Sequence, residues 1–185
     1  MTNPFRDQEK FMRACDQSVD AMNESQYTMY KSLIEEEFRE LQEAHDMEAE
    51  LDALIEAFVR ENGALPATKG YRGFKHASCI SPNDVVCHGV PNETVLKTGD
   101  IVNIDVTTIL NGFFGDTCKM YYVGEPSEYA KKLVETTKEC LKLGMQECKP
   151  GVHLGNVGAA IAEHAHKNGY SVVFEFCGHG VGLKF

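Results

Sequence analysis

The chain has 185 residues, 43% of them apolar, so it can bury one substantial core, and its length predicts one or two domains. A formal net charge of −10 argues against binding a phosphate backbone and for a soluble, cation-tolerant surface. No stretch approaches the roughly 18 continuous apolar residues of a membrane span, and Met1-Thr2-Asn3-Pro4 begins no signal peptide, so a cytoplasmic protein is expected.

Residues 1 to about 60 read as helices. Phe5 to Met22 has apolar residues at loose helical spacing, Asn23 to Gln26 interrupts it, and Tyr27 to His45 resumes with Ile34, Phe38 and Leu41 on one stripe. Glu36, Glu37 and Glu40 gather carboxylates on adjacent turns of the other side, by default a solvated helix face. From Ala64 the texture changes to strand and turn, punctuated by Pro66, Gly70, Gly73, Ser81-Pro82-Asn83 and Gly89-Val90-Pro91. His76 is expected in a loop without a role. His88 follows the run Val85-Val86-Cys87 and precedes Gly89, a strand-end location from which side chains face a cleft.

Residues 101–124, IVNIDVTTILNGFFGDTCKMYYVG, read as two strands joined at Asn111-Gly112, the dipeptide suited to the two positive-φ positions of a type I′ turn. That turn sets the register: Leu110 faces Phe113, Thr107 faces Asp116 and Asp105 faces Cys118. Asp105, Thr107, Asp116 and Cys118 then share one face, with the two aspartates as diagonal neighbours roughly 7 to 8 Å apart at Cα. Carboxylates so placed between otherwise apolar strands need protonation, a cation or a metal, and an oxygen-rich pair suits a hard or borderline divalent ion. Mere exposure on a half-solvated sheet face is the plain alternative.

After Glu125-Pro126-Ser127, Tyr129 to Gln146 reads as one helix with Leu133, Val134, Thr137, Leu141 and Met145 inward, terminated by Lys149-Pro150-Gly151. Val152 to Lys167 is a second helix, with His164 and His166 expected at its surface. Asn168-Gly169 opens a predicted strand, Tyr170 to Phe176, that runs into Gly178-His179-Gly180-Val181-Gly182; a His framed by glycines suits a ligand. The seven cysteines (Cys15, Cys79, Cys87, Cys118, Cys140, Cys148, Cys177) are odd in number and form no Cys-x-x-Cys pair. A disulfide framework or thiolate zinc site is therefore not expected, and most should be small buried hydrophobes. Packing is also the expected role of Cys118, although it could touch a metal.

The segments NGALPA, GYRGF, SPNDVVCHGVP, LKTGDIVNIDV, GFFGDTCKMYYVG, KPGVHLGNVGAAI and EFCGHGVGLKF occur in the order found in type I methionine aminopeptidases, and the run from Asn62 to Phe185 resembles that family. The resemblance implies an α/β pita-bread fold, removal of the N-terminal methionine from a peptide or nascent polypeptide, and a site for two divalent ions such as cobalt, manganese, iron or zinc. It implies that Asp105, Asp116 and His179 are metal ligands and that His88 is the catalytic residue contacting substrate. It places Tyr71, Phe74, Cys79 and Phe185 in the methionine pocket. Neither nucleic acid nor membrane is expected as a partner, and the oligomeric state is left open.

The chain stops at Phe185, where that family continues with a His-Glu-Glu-Pro motif and, further on, two glutamates of the metal site. The expectation is an incomplete pita-bread-like domain carrying three of five ligands, weakly active or inactive alone. A seam is expected near Asp46 or Met47, dividing a helical extension, 1–46, from the aminopeptidase-like domain, 47–185. Residues 1–46 resemble the opening helices of MazG-like nucleoside triphosphate pyrophosphohydrolases through the Glu36, Glu37, Glu40 pattern, although the matching Glu-x-x-Asp is not clean, since Ala49 precedes Asp52. A pyrophosphohydrolase, a non-catalytic interaction module and a fragment that pairs with another chain are the alternatives.

Overall fold

The computed structural model describes residues 47–181, which fall into two units, one ending at Ser127 and one spanning Glu128–Gly180. Residues 1–46, expected to be a helical extension with an acidic cluster, and Phe185 at the other end lie outside the described residues.

The first unit opens with helix α1, Glu48–Glu61. Leu51, Ile55 and Val59 recur every fourth residue and are buried, so one stripe of α1 supplies the core. Its first amide groups, which lack helical acceptors, are taken by the chain ahead of the hairpin: Glu48 N donates to Thr94 O and Ala49 N to Asn92 O. Strands β1 (Leu65–Pro66), β2 (Cys79–Pro82), β3 (Ile101–Leu110) and β4 (Phe113–Tyr122) form one antiparallel sheet. β4 pairs along the whole of β3, whose other edge takes β2 at its start and β1 at its end.

The hairpin register is the one the turn predicts: Leu110 pairs with Phe113, Thr107 with Asp116 and Asp105 with Cys118. Asn111 (φ 53°) and Gly112 (φ 85°) both adopt the left-handed conformation a type I′ turn demands. Period-two alternation then divides β3 cleanly. Val102, Ile104 and Val106 join Ile80 and the α1 stripe in the core, with Leu96 and Val123 completing it. Asn103, Asp105 and Thr107 point to the opposite face.

In the second unit, helices α2 (Glu128–Glu147) and α3 (Gly155–Lys167) pack against each other. The buried line of α2 is Val134, Thr136, Cys140 and Gly144, displaced from the expected stripe: Leu141 is 62% exposed, and exposed Thr137 donates its hydroxyl to Leu133 O. Small side chains explain the choice. A Cβ on Gly144 would stand 2.9 Å from Ile161 Cδ1, so α3 comes close only where α2 is narrow. α3 begins at Gly155, not at Val152.

Residues 170–176 do not form the predicted strand. A strand exists only as part of a ladder, and none forms along this segment among the described residues; Phe174 is 82% exposed.

Candidate metal centre on the hairpin

The outward face of the hairpin carries the expected carboxylates. Asp105 and Asp116 are both half-buried and sit diagonally across the β3–β4 pairing. Thr107, opposite Asp116, donates its hydroxyl to Asp116 Oδ1 at 3.0 Å. Cys118 is on this face too but exposed, so its expected role as packing is not what the fold gives it. Of the described cysteines only Cys79 and Cys140 are buried, which corrects the expectation that most would be: Cys87 stands in an open loop and Cys118 on the polar face of the sheet.

β2 brings Cys79 directly opposite Asp105, extending the face across three strands. Burial, then the negative charges of Asp105, Cys87, Asp116 and Asp52, push the Cys79 thiol up to about 12. Cys79 is therefore a buried, neutral thiol beside the carboxylate face at ordinary pH.

The start of β2 is held by Asp52 of α1, which the sequence offered only as part of an imperfect Glu-x-x-Asp pattern. Asp52 Oδ1 accepts from Ala77 N (3.0 Å), Ser78 N (2.8 Å) and Ser78 Oγ (2.7 Å), while Asp52 Oδ2 lies 3.0 Å from His76 Nδ1. His76, expected to have no role, is thus paired with a buried carboxylate. The signal was present in α1: Glu48 and Asp52 interrupt the stripe of Leu51, Ile55 and Val59 at i, i+3 and i+4 positions. An acid on a core stripe needs an internal partner.

His88 lies in an exposed loop beyond the sheet. The run Val85-Val86 is not a strand; the backbone turns at Asn83 (φ 51°) and leaves Val86 57% exposed. The loop returns to the sheet at Gly89, whose amide donates to Ser81 Oγ (3.0 Å) and whose carbonyl accepts from Ile80 N (3.1 Å). Only glycine tolerates this approach, since a Cβ at residue 89 would stand 2.0 Å from Ile80 O. Between these anchors Cys87 (φ 49°) and His88 (φ 51°) are consecutive left-handed non-glycine residues. Such strain costs on the order of 1–3 kcal/mol per residue and clusters at functional sites. Desolvation, then the charge of Asp105, raises the thiol of the otherwise exposed Cys87.

The other described residues of the expected pocket, Tyr71 and Phe74, precede β2. Tyr71 is exposed in a short 3-10 turn, Tyr71–Gly73, and Phe74 packs edge-to-face on His76 with ring centroids 5.6 Å apart. This loop is anchored on both sides, by Thr68 Oγ1 donating to His76 O (2.9 Å) and by an ion pair between Lys69 and Glu56 of α1. His179 belongs to the second unit, where it is exposed and its Nδ1 lies 3.4 Å from Gly180 O.

The donor chemistry fits a divalent cation through two carboxylate ligands, one of them hydrogen-bonded by the Thr107 hydroxyl. Among the described residues no group of three or more His, Cys, Asp and Glu side chains forms a metal-holding cluster.

A family model, that of metallopeptidase family M24, matches residues 9–185. The chain is similar to methionine aminopeptidase A of Synechocystis sp. (47% identity over 137 residues, 74% of this chain and 54% of that protein). It is similar also to methionine aminopeptidase of Haemophilus influenzae (50% over 139 residues, 74% of this chain and 52% of that protein). The crystal structure of methionine aminopeptidase from Rickettsia prowazekii superposes with a TM-score of 0.74 at 40% identity, covering 82% of this chain and 68% of that one. The chain spans about half the length of the curated relatives it matches. These matches lend no support to the pyrophosphohydrolase alternative, and the fold class is the α/β pita-bread fold. A strand hairpin that holds two aspartates on its polar face, in a chain matched along nearly its whole length by one family model, leads to one assignment: the chain belongs to metallopeptidase family M24.

Proposed function

We propose that this chain carries the metal-binding hairpin of an aminopeptidase that removes N-terminal methionine from peptides or nascent polypeptides. The observation that carries the reading is the pairing of Asp105 and Asp116 on one face of β3–β4, with Cys79 opposite Asp105. Its similarity to proteins named methionine aminopeptidase, at 47% and 50% identity, supports the substrate class.

In this reading Asp105 and Asp116 hold divalent metal as anionic oxygen donors, and His179 is a further ligand. Two ions of the cobalt, manganese, iron or zinc kind occupy the full site. A divalent ion there supplies Lewis acidity, polarising the scissile carbonyl and making water more acidic. The chain's own groups do the rest. His88 hydrogen-bonds the substrate from the strained loop, and such a positioned donor favours the charge that develops at the reacting carbonyl. Tyr71, Phe74 and Cys79 line the pocket for the methionine side chain; Phe185, which the resemblance adds to it, lies outside the described residues. The protonated Cys79 thiol offers that thioether a neutral, polarisable surface and keeps charge away from it. A cytoplasmic place of action goes with a nascent-polypeptide substrate; separately, the net charge of −10 opposes nucleic-acid binding, and among the described residues no helix is long and apolar enough to cross a membrane.

Isothermal titration of the metal-free chain with manganese or cobalt tests this reading, alongside the double variant Asp105→Asn, Asp116→Asn. Binding by the wild type that the variant loses supports it. Equal binding by both, or none by either, sinks the hairpin as a metal centre. Release of methionine from a Met-Ala peptide by the loaded chain tests the substrate.

A further inference from the structure

Thr107 stands directly across the β3–β4 ladder from Asp116, and its hydroxyl donates to Asp116 Oδ1 at 3.0 Å. The residue is 3% exposed, so its hydroxyl has little recourse to water, and it takes as acceptor one of the two carboxylates assigned to metal above. From this geometry, and resting on that reading of Asp105 and Asp116, we infer that Thr107 is a positioning residue that sets how the Asp116 carboxylate faces a divalent cation.

The terminal torsion of an aspartate is broad, so an untethered carboxylate swings about its Cβ–Cγ bond. The Thr107 bond restricts that freedom. It engages Oδ1 and so biases how the carboxylate turns. Threonine suits the task because its branched Cβ makes it stiff at χ1, and its place inside a fully paired strand fixes the backbone beneath it. The orientation is therefore determined by the hairpin register before any ion arrives. Valine would keep the shape and the strand preference but lose the donor; serine would keep the donor. Partners of this kind, one step removed from the metal, typically alter affinity by ~10–100-fold.

The test is manganese titration by calorimetry of the full metal-free chain, comparing wild type, Thr107→Val and Thr107→Ser. The expected result is a Kd weakened about tenfold or more in Thr107→Val and within about threefold of wild type in Thr107→Ser. Thr107→Val binding within about twofold of wild type, with an unchanged melting temperature, overturns the inference. Should the wild type take up no manganese, the ligand reading fails and the metal half of the inference fails with it. The orienting bond is then decided in the metal-free proteins by three-bond couplings of the Asp116 side chain. A single rotamer in wild type and Thr107→Ser that averages in Thr107→Val supports the bond, and one rotamer in all three removes it.

Discussion

Asp52 and Ser78 are joined twice through one carboxylate oxygen: Oδ1 of Asp52 accepts from the Ser78 amide at 2.8 Å and from its hydroxyl at 2.7 Å. With the further bonds to Ala77 N and His76 Nδ1, this side chain fastens helix α1 to the segment that opens β2. Cys79 follows at once, opposite Asp105, so the clamp sets where the inner edge of the hairpin face begins.

Asp52→Ala is expected to destabilise the protein by about 3–5 kcal/mol, because several buried donors lose a charged acceptor together. Asp52→Asn keeps one acceptor oxygen and should cost about 1–3 kcal/mol. Urea denaturation followed by far-UV circular dichroism measures both. Equal stability of wild type and Asp52→Ala would show that the segment is held by other contacts.

Glu48 lies on the same helix, 2% exposed, with Asn92 Nδ2 donating to its Oε2 at 3.0 Å. Burial raises its carboxyl above the ordinary 4.5, against the lowering effect of hydrogen bonding from the Asn92 backbone. A raised folded value means that the fold prefers the protonated form. That contribution is fully present below the ordinary glutamate range and is lost as pH rises through the folded value. Glu48→Gln should therefore melt higher than wild type at pH 7, with the gap closing toward pH 4. A wild type that melts higher at pH 7 contradicts this.

The Cys79 thiol, pushed up to about 12 by burial and by the carboxylates around it, should stay protonated and unreactive in the native protein. Iodoacetamide at pH 8, read by peptide mass spectrometry, should leave Cys79 and buried Cys140 unmodified while exposed Cys177 is labelled. All should react in denaturant. Native labelling of Cys79 as fast as Cys177 would mean that the wall formed by β2 opens readily.

Gly89→Ala should displace the loop that presents His88. The new methyl group would meet Ile80 O at 2.0 Å, a backbone atom that cannot turn aside, so a loss of roughly 1–3 kcal/mol is expected. In a loaded, active protein the same change should lower kcat through His88 while leaving manganese affinity on Asp105 and Asp116 within about threefold, because the β3–β4 pairing that sets both does not involve residue 89. Unchanged stability would place Ile80 and residue 89 further apart than this fold has them.

The hairpin was legible before any fold was known because its information is local. Asn111-Gly112 selects a turn, the turn selects the register, and the register puts Asp105 and Asp116 on one face. Helices α1, α2 and α3 were legible for the same reason, since each turn bonds to residues four away. Distant contacts decided what could not be read in this way. Asp52 finds its donors 24 to 26 residues along the chain, and nothing in its own neighbourhood names His76 or Ser78. The buried line of α2 follows Thr136, Cys140 and Gly144 because α3 needs a narrow surface, a demand that apolar periodicity in α2 alone does not express. Residues 170–176 have strand composition, yet a strand is a property of two chains side by side, and composition specifies only one of them. Pairing rules acting over a few residues are written in the sequence, whereas contacts between residues far apart in the chain arise only when the folded surfaces meet.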